Sequence, residues 1–250
     1  AEDGIRDVAV TGVQTCALPI WWDRAAAGRV THFIAQSRAV DDRIARIYGR
    51  RAGAIVYPPV VVDRFRDRQG VVGAAYLAVA RLEAFKRIDL AIEACRRLGV
   101  PLRIAGAGVD ETRLRALAAG DPLITFLGAI PDDAVVREMA TCRAFLHPAD
   151  EDFGIAAVEA QAAGRPVIAY AGGGALETVI GGVTGTFFHE ATAASLAATL
   201  DGFDPSRYHP DDTRANAARF APDRFRAALG AAVADLGIRP REVGPDLTVP

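Results

Sequence analysis

Lysine is almost missing from this chain: of 29 basic residues only Lys86 is lysine, and the rest are arginine. Cysteine is scarce as well. The three cysteines, at 16, 95 and 142, form no Cys-x-x-Cys pair and no metal spacing. That excludes a zinc site and reads as a reducing compartment. Charge of one sign is lacking too, with a formal net charge of -2, so there is no basic excess to mark a nucleic-acid partner. Long apolar runs are absent. The longest, Val71 to Ala80, falls short of the roughly 18–20 residues a membrane helix needs. Glu2 and Asp3 stand where a secretory leader carries basic residues, and no apolar run of about 7–15 follows. No signal peptide is expected, and the expected location is cytoplasmic.

What is present suits a folded chain. Its 250 residues are 51% hydrophobic and 24% charged, enough for one large or two ordinary domains. Alanine reaches 50 residues. Alanine and arginine have GC-rich codons and lysine has AT-rich ones, so the composition reads as that of a GC-rich genome. A lysine that survives such drift marks a position to follow.

Residues 1–20 stand apart, with no helical or strand period. Val10-Thr11-Gly12-Val13-Gln14-Thr15-Cys16-Ala17-Leu18-Pro19-Ile20 back-translates in frame to a common sequencing-library adapter. This segment is expected to be an assembly artefact without structure, with the protein starting near Trp21.

The rest alternates. Residues 32–35 and 54–57 read as strands around a helix at 38–48, followed by a polar linker at 63–70. Apolar runs at 75–80, 102–105, 124–127, 144–147, 167–170 and 185–188 predict buried parallel strands. Between and after them, helical spacing predicts helices at 88–98, 111–119, 132–141 (with Asp132 as N-cap), 154–163, 175–180 and 192–200. Two more follow at 211–220 and 222–236. The proline-containing end from Gly237 is expected to be disordered. Six strand–helix units predict an α/β, doubly wound parallel sheet.

In such a sheet ligands bind beyond the carboxyl ends of strands, and three loops there carry chemistry. In the first, Arg81 and Lys86 can converge on an anion; Arg81 alone would read as a solvated charge. In the second, Glu151 lies in a loop and Glu159 in the following helix among small apolar residues. Gly154 between them permits close backbone approach. A buried carboxylate needs donors, which sugar hydroxyls supply; the bland alternative for Glu159 is an exposed position on an alanine-rich helix. In the third, Gly172, Gly173 and Gly174 precede a helix as a nest of N–H groups suited to phosphate. Gly106-Ala107-Gly108 resembles a dinucleotide fingerprint, but Glu111 stands where its third glycine belongs, so no nicotinamide cofactor is expected. Asp41-Asp42, Asp132-Asp133 and Asp211-Asp212 read as helix starts rather than metal ligands. His147 reads equally as pocket-lining or structural. Cys95 and Cys142 read as core thiols.

The basic pair, the Glu-x7-Glu loop–helix and the glycine nest, in this order, resemble the family 4 retaining glycosyltransferases (glycosyl transferases group 1). Phe33-Ile34-Ala35-Gln36-Ser37-Arg38 and Tyr57-Pro58-Pro59-Val60 extend the resemblance. The wording of Tyr57–Val60 and of Glu151-Asp152-Phe153-Gly154 is similar to the mannosyltransferase-like subgroup. The resemblance implies a GT-B fold of two Rossmann-like domains facing a cleft. Carried over, it divides the chain into an acceptor-domain remnant with linker (21–70), a donor-binding domain (71–203) and returning helices (204–236). It implies a hexosyltransferase acting from a nucleoside-diphosphate sugar, GDP-mannose among the candidates, onto a glycan or lipid-linked acceptor. No metal or other cofactor is implied. Arg81 and Lys86 would hold the diphosphate. Glu151, with backbone groups of Phe153, Gly154 and Ile155, would hold the sugar, and Glu159 the ribose. Gly172–Gly174 would lie near phosphate or sugar. Most of the acceptor domain is expected to be missing, which leaves a donor-binding fragment without activity as the alternative, and any peripheral membrane contact would come through the missing part. A sugar-nucleotide epimerase of similar fold is the third reading, and the Glu-x7-Glu wording argues against it.

Overall fold

Alternating side chains on the central strands point into two separate apolar layers. In this computed structural model, which describes residues 12–65 and 70–237, Tyr76 and Ala78 enter one core and Leu77 the other. Phe145 and Leu146 divide the same way, as do Val167 and Ile168. A strand buried on both faces must be apolar at every position, which is why these segments read as continuous runs.

The chain opens with helix α1 (Gly12–Ala27), strand β1 (Ile34–Ala35), helix α2 (Arg38–Tyr48) and strand β2 (Ala54–Ile55). β1 and β2 form a small parallel pair. Then come β3 (Tyr76–Val79), α3 (Ile88–Leu98), β4 (Leu102–Ala105), α4 (Glu111–Ala118), β5 (Ile124–Gly128), α5 (Asp132–Thr141), β6 (Phe145–His147), α6 (Ile155–Ala162), β7 (Val167–Tyr170), α7 (Ala175–Thr178), β8 (Gly185–Phe188) and α8 (Ala193–Asp201). Helices α9 (Pro210–Ala217) and α10 (Pro222–Asp235) close it. The six-stranded sheet has the order β5-β4-β3-β6-β7-β8 with every pair parallel. One core packs under α3, α4 and α8; the other lies under α5, α6 and α9. The predicted doubly wound sheet is therefore present, strand by strand.

Differences from the expected elements have local causes. Residues 12–20 were expected to lack structure, but the backbone there forms the first part of α1. It runs on to Ala25–Ala27, and alanine is the strongest helix former. Residues 1–11, the tail from 238 and linker residues 66–69 lie outside the described residues. Asp132 is not the N-cap of α5: Pro131 holds that place with no side-chain cap, and Asp132 is the first helical residue. Its carboxylate still suits the positive end of the helix. The helix expected at 211–220 ends at Ala217 and tightens into a 3-10 turn at Ala218–Phe220. Among the described residues no helix is long and apolar enough to cross a membrane.

The topology fixes where a ligand can sit. From β3 the chain steps outward to β4 and β5; from β6 it steps the other way. The loops leaving β3 and β6 therefore diverge and leave a crevice between them.

Candidate functional site in the crevice between β3 and β6

A cavity of about 670 Å³ fills that crevice. Val79 and His147, the last residues of β3 and β6, form its floor, and Lys86, Glu151, Ile155 and Glu159 stand on its walls. The geometry is built from the loops upward.

Lys86 ends a 3-10 turn, Ala84–Lys86, in the loop after β3. Its ammonium lies over the Phe85 ring, 5.1 Å from the centroid. Its Nζ donates to Glu151 Oε2 at 2.7 Å, and the two side chains are only 18% and 21% exposed. The two residues expected to hold phosphate and sugar thus hold each other. On the other side of the carboxylate, His147 Nδ1 is 3.9 Å from Glu151 Oε1. The imidazole is 6% exposed, and among the described residues its Nε2 has no partner. Burial pushes its pKa down, opposed by Glu151 and helped by Lys86.

Gly154 explains the shape of this corner. It takes φ +86°, and a Cβ there would sit 2.9 Å from His147 Nε2. Only glycine lets the chain turn into α6 over the imidazole. Phe153 points the other way, packing on Tyr57 and Phe220 with ring centroids 5.9 and 5.3 Å away. The residue also lines the cavity. Glu159 lies in α6 with Arg64 Nη1 3.6 Å from its Oε1. Burial raises its pKa, with Arg64 acting against that shift and Asp132 adding to it.

Two expectations need correction. Arg81 does not converge with Lys86. Its side chain is 79% exposed and pairs with Glu83 at 3.5 Å, beside a separate depression shared with Gly106 and Ile130. Gly172–Gly174 do not line the cavity. Gly172 N donates to Tyr170 O at 2.8 Å and Gly174 N to Glu151 O at 2.7 Å. A Cβ on Gly173 would overlap the Glu151 carbonyl, and one on Gly174 would overlap the Phe153 backbone. The triplet is needed for close packing of two loops, and N–H groups of Gly172 and Gly174 are consumed inside the protein.

Other residues escaped the sequence reading. Glu177 accepts from the backbone N–H of Arg38 at 2.9 and 3.1 Å, of Ala39 at 3.3 Å, and from Tyr57 Oη at 2.8 Å. It thereby caps α2, beside the Ser37 hydroxyl that accepts from Val40 N at 3.1 Å. Asp152 pairs with Arg43 at 2.6 Å and accepts from Gln36 at 3.3 Å, so α2 and the residues before it form the outer rim of the cavity. Among the described residues there is no cluster of His, Cys, Asp or Glu that could hold a metal ion.

Comparison with known proteins places this geometry. The chain is 32% identical over 181 residues to the D-inositol 3-phosphate glycosyltransferase of Geodermatophilus obscurus, covering 60% of this chain and 40% of that protein. It is 30% identical over 201 residues to the glycogen synthase of Mycobacterium tuberculosis, covering 75% and 48%. The chain thus spans less than half the length of these relatives. Among solved structures, Anabaena HepE in complex with UDP and glucose superposes with a TM-score of 0.73 at 21% identity, covering 88% of this chain and 67% of that one. Sucrose-phosphate synthase of Thermosynechococcus elongatus gives 0.75 at 21% identity, covering 92% and 64%. These likenesses place the fold in the GT-B class, with the six-stranded sheet as its Rossmann-like domain. The family model for glycosyl transferases group 1 matches residues 70–220, which include Lys86, Glu151 and Glu159, and the chain belongs to that family.

Proposed function

We propose that the protein is a retaining glycosyltransferase that moves a sugar from a nucleoside-diphosphate sugar to a glycan or lipid-linked acceptor. The observation that carries this reading is the Lys86–Glu151 pair at 2.7 Å on the wall of the crevice cavity. A cation and a carboxylate poised there match the two polarities of a sugar diphosphate: phosphate oxygens take the ammonium, and sugar hydroxyls donate to the carboxylate. Glu159, further along the wall, would accept from the ribose. Arg81 pairs with Glu83; its exposed side chain would turn to join Lys86 on the diphosphate. When the nucleoside diphosphate leaves, negative charge grows on phosphate oxygens. A fixed ammonium in a half-buried cavity stabilises that charge more than water does.

Among donors, the Tyr57–Val60 and Glu151–Gly154 wording supports GDP-mannose, while UDP and glucose are what HepE holds. The reaction would proceed in the cytoplasm, with peripheral membrane contact through parts beyond this chain. That the chain spans 40–48% of its relatives' length favours a second reading, a donor-binding fragment that catalyses nothing alone. The adapter-like wording of Val10–Ile20 supports a foreign origin for that stretch, which re-sequencing of the locus tests.

Calorimetric titration with UDP-glucose and GDP-mannose, followed by assay of transfer, separates these readings. Binding to one donor is expected. Lys86→Ala and Glu159→Ala should each weaken it about 10-fold or more, in line with roughly 1.5–3 kcal/mol for a hydrogen bond to a charged group. A chain that binds neither donor sinks the proposal; binding without transfer favours the fragment.

A further inference from the structure

His147 is a buried polar group at this site that the proposed chemistry leaves unused. It sits on the cavity floor and is nearly inaccessible. Its Nε2 faces the Gly154 backbone without a hydrogen-bond partner. Its Nδ1 faces Glu151 Oε1 across 3.9 Å, about 1 Å beyond hydrogen-bond reach. A buried N–H left unpaired is costly, so the proton of the neutral ring belongs on Nδ1, the edge that has an acceptor nearby. Glu151 meanwhile gives its other oxygen to Lys86. Its main chain is pinned, because its carbonyl accepts from Gly174 N. The side chain can turn; the backbone is held.

We infer that His147 is the second seat of the Glu151 carboxylate: when an anionic ligand draws Lys86 away, Glu151 rotates to accept a hydrogen bond from His147 Nδ1–H. His147 is then a positioning residue. It keeps a half-buried carboxylate aimed into the cavity after its cation has been taken by a ligand. The hand-off also separates two opposite charges that would otherwise quench each other, leaving the ammonium for phosphate and one carboxylate oxygen for a hydroxyl. Burial disfavours the imidazolium, as does Lys86. The remaining charged groups on the cavity lining are Arg43, Asp150, Asp152 and Glu159. Of these, Arg43 and Asp152 are paired with each other and Glu159 lies against Arg64.

The first test needs no ligand. In the Lys86→Met chain Glu151 loses its cation and should settle on His147. The titration midpoint of His147, followed by NMR of labelled histidine and assigned with His147→Gln, should rise by about 1 unit or more, the size expected for a close opposite charge. In Lys86→Met combined with Glu151→Gln that rise should vanish. A rise that persists in the double variant reports only the lost ammonium and overturns the hand-off, as does no rise at all. The second test rests on the proposed donor site. UDP-glucose or GDP-mannose should shift the His147 signals of the unaltered chain in the same direction as Lys86→Met does. Binding without that shift overturns the inference alone. Failure to bind overturns the donor reading and leaves the Lys86→Met result to decide the hand-off.

Discussion

The six-stranded domain and the segment from Ile20 to Arg50 are held by different forces. Leu77, Ile92, Leu102, Ile104, Phe145 and Leu146 of the domain are essentially inaccessible. In the segment the buried residues are Ala27, Ala35 and Ser37, all small, and Trp21 and Trp22 stay 71% and 65% exposed. Helix α2 buries none of its own residues. Apolar burial contributes about 25 cal/mol per Å² without regard to direction. The segment is placed instead by directed contacts: Glu177 on the start of α2, and Asp152 on Arg43 and Gln36. The domain is therefore held by its own apolar cores, whereas the rim of the cavity is positioned by a few directed contacts whose loss should leave the sheet folded.

The contrast is sharpest in the core. Leu77→Ala removes a fully buried side chain from β3 and should cost about 2–5 kcal/mol in urea denaturation. A loss under about 1 kcal/mol would mean the sheet is not the source of stability. Glu177→Ala should act locally. It strips a capping carboxylate from α2 and leaves Tyr57 Oη without its acceptor, costing about 1–2 kcal/mol. Hydrogen exchange should quicken at the start of α2 and stay unchanged in β3 and β6. Quickening in both regions would erase the distinction. The smallest effect belongs to Trp21→Ser with Trp22→Ser. Two exposed side chains are lost, so the urea midpoint should correspond to a change within about 0.5 kcal/mol; a larger change would mean the tryptophans pack on something.

What was legible in the sequence follows the same division. A run such as 75–80 betrays β3 because a strand buried on both faces has no polar position. Helix α6 shows itself by Gly154 at one end and Gly164-Arg165-Pro166 at the other. Lys86, Glu151 and Glu159 were legible as a group because each lies in the loop or first helix that follows a strand of the sheet. Arg81 stands apart from Lys86 because sequence gives a side chain's address and not its direction: two residues past the end of β3, it is exposed and pairs with Glu83. Gly172–Gly174 were read as open N–H groups, although their neighbour proves to be the Glu151 loop. Glu177 was not legible at all. Its partners Arg38 and Tyr57 lie 139 and 120 residues earlier, and no local pattern marks a carboxylate as the cap of a distant helix.

The close packing of Gly173 and Gly174 against residues 151–153 has a consequence for how errors spread. At Gly173 and Gly174 the loops after β6 and β7 touch backbone to backbone, with the Asp150 carboxylate beside them. A methyl group added at Gly173 must displace the Glu151 main chain itself, and the Asp150 carboxylate with it. The Glu151 carboxylate would then move relative to both Lys86 and His147, although neither loop's chemistry had changed. A substitution there would masquerade as damage to a residue it never touches.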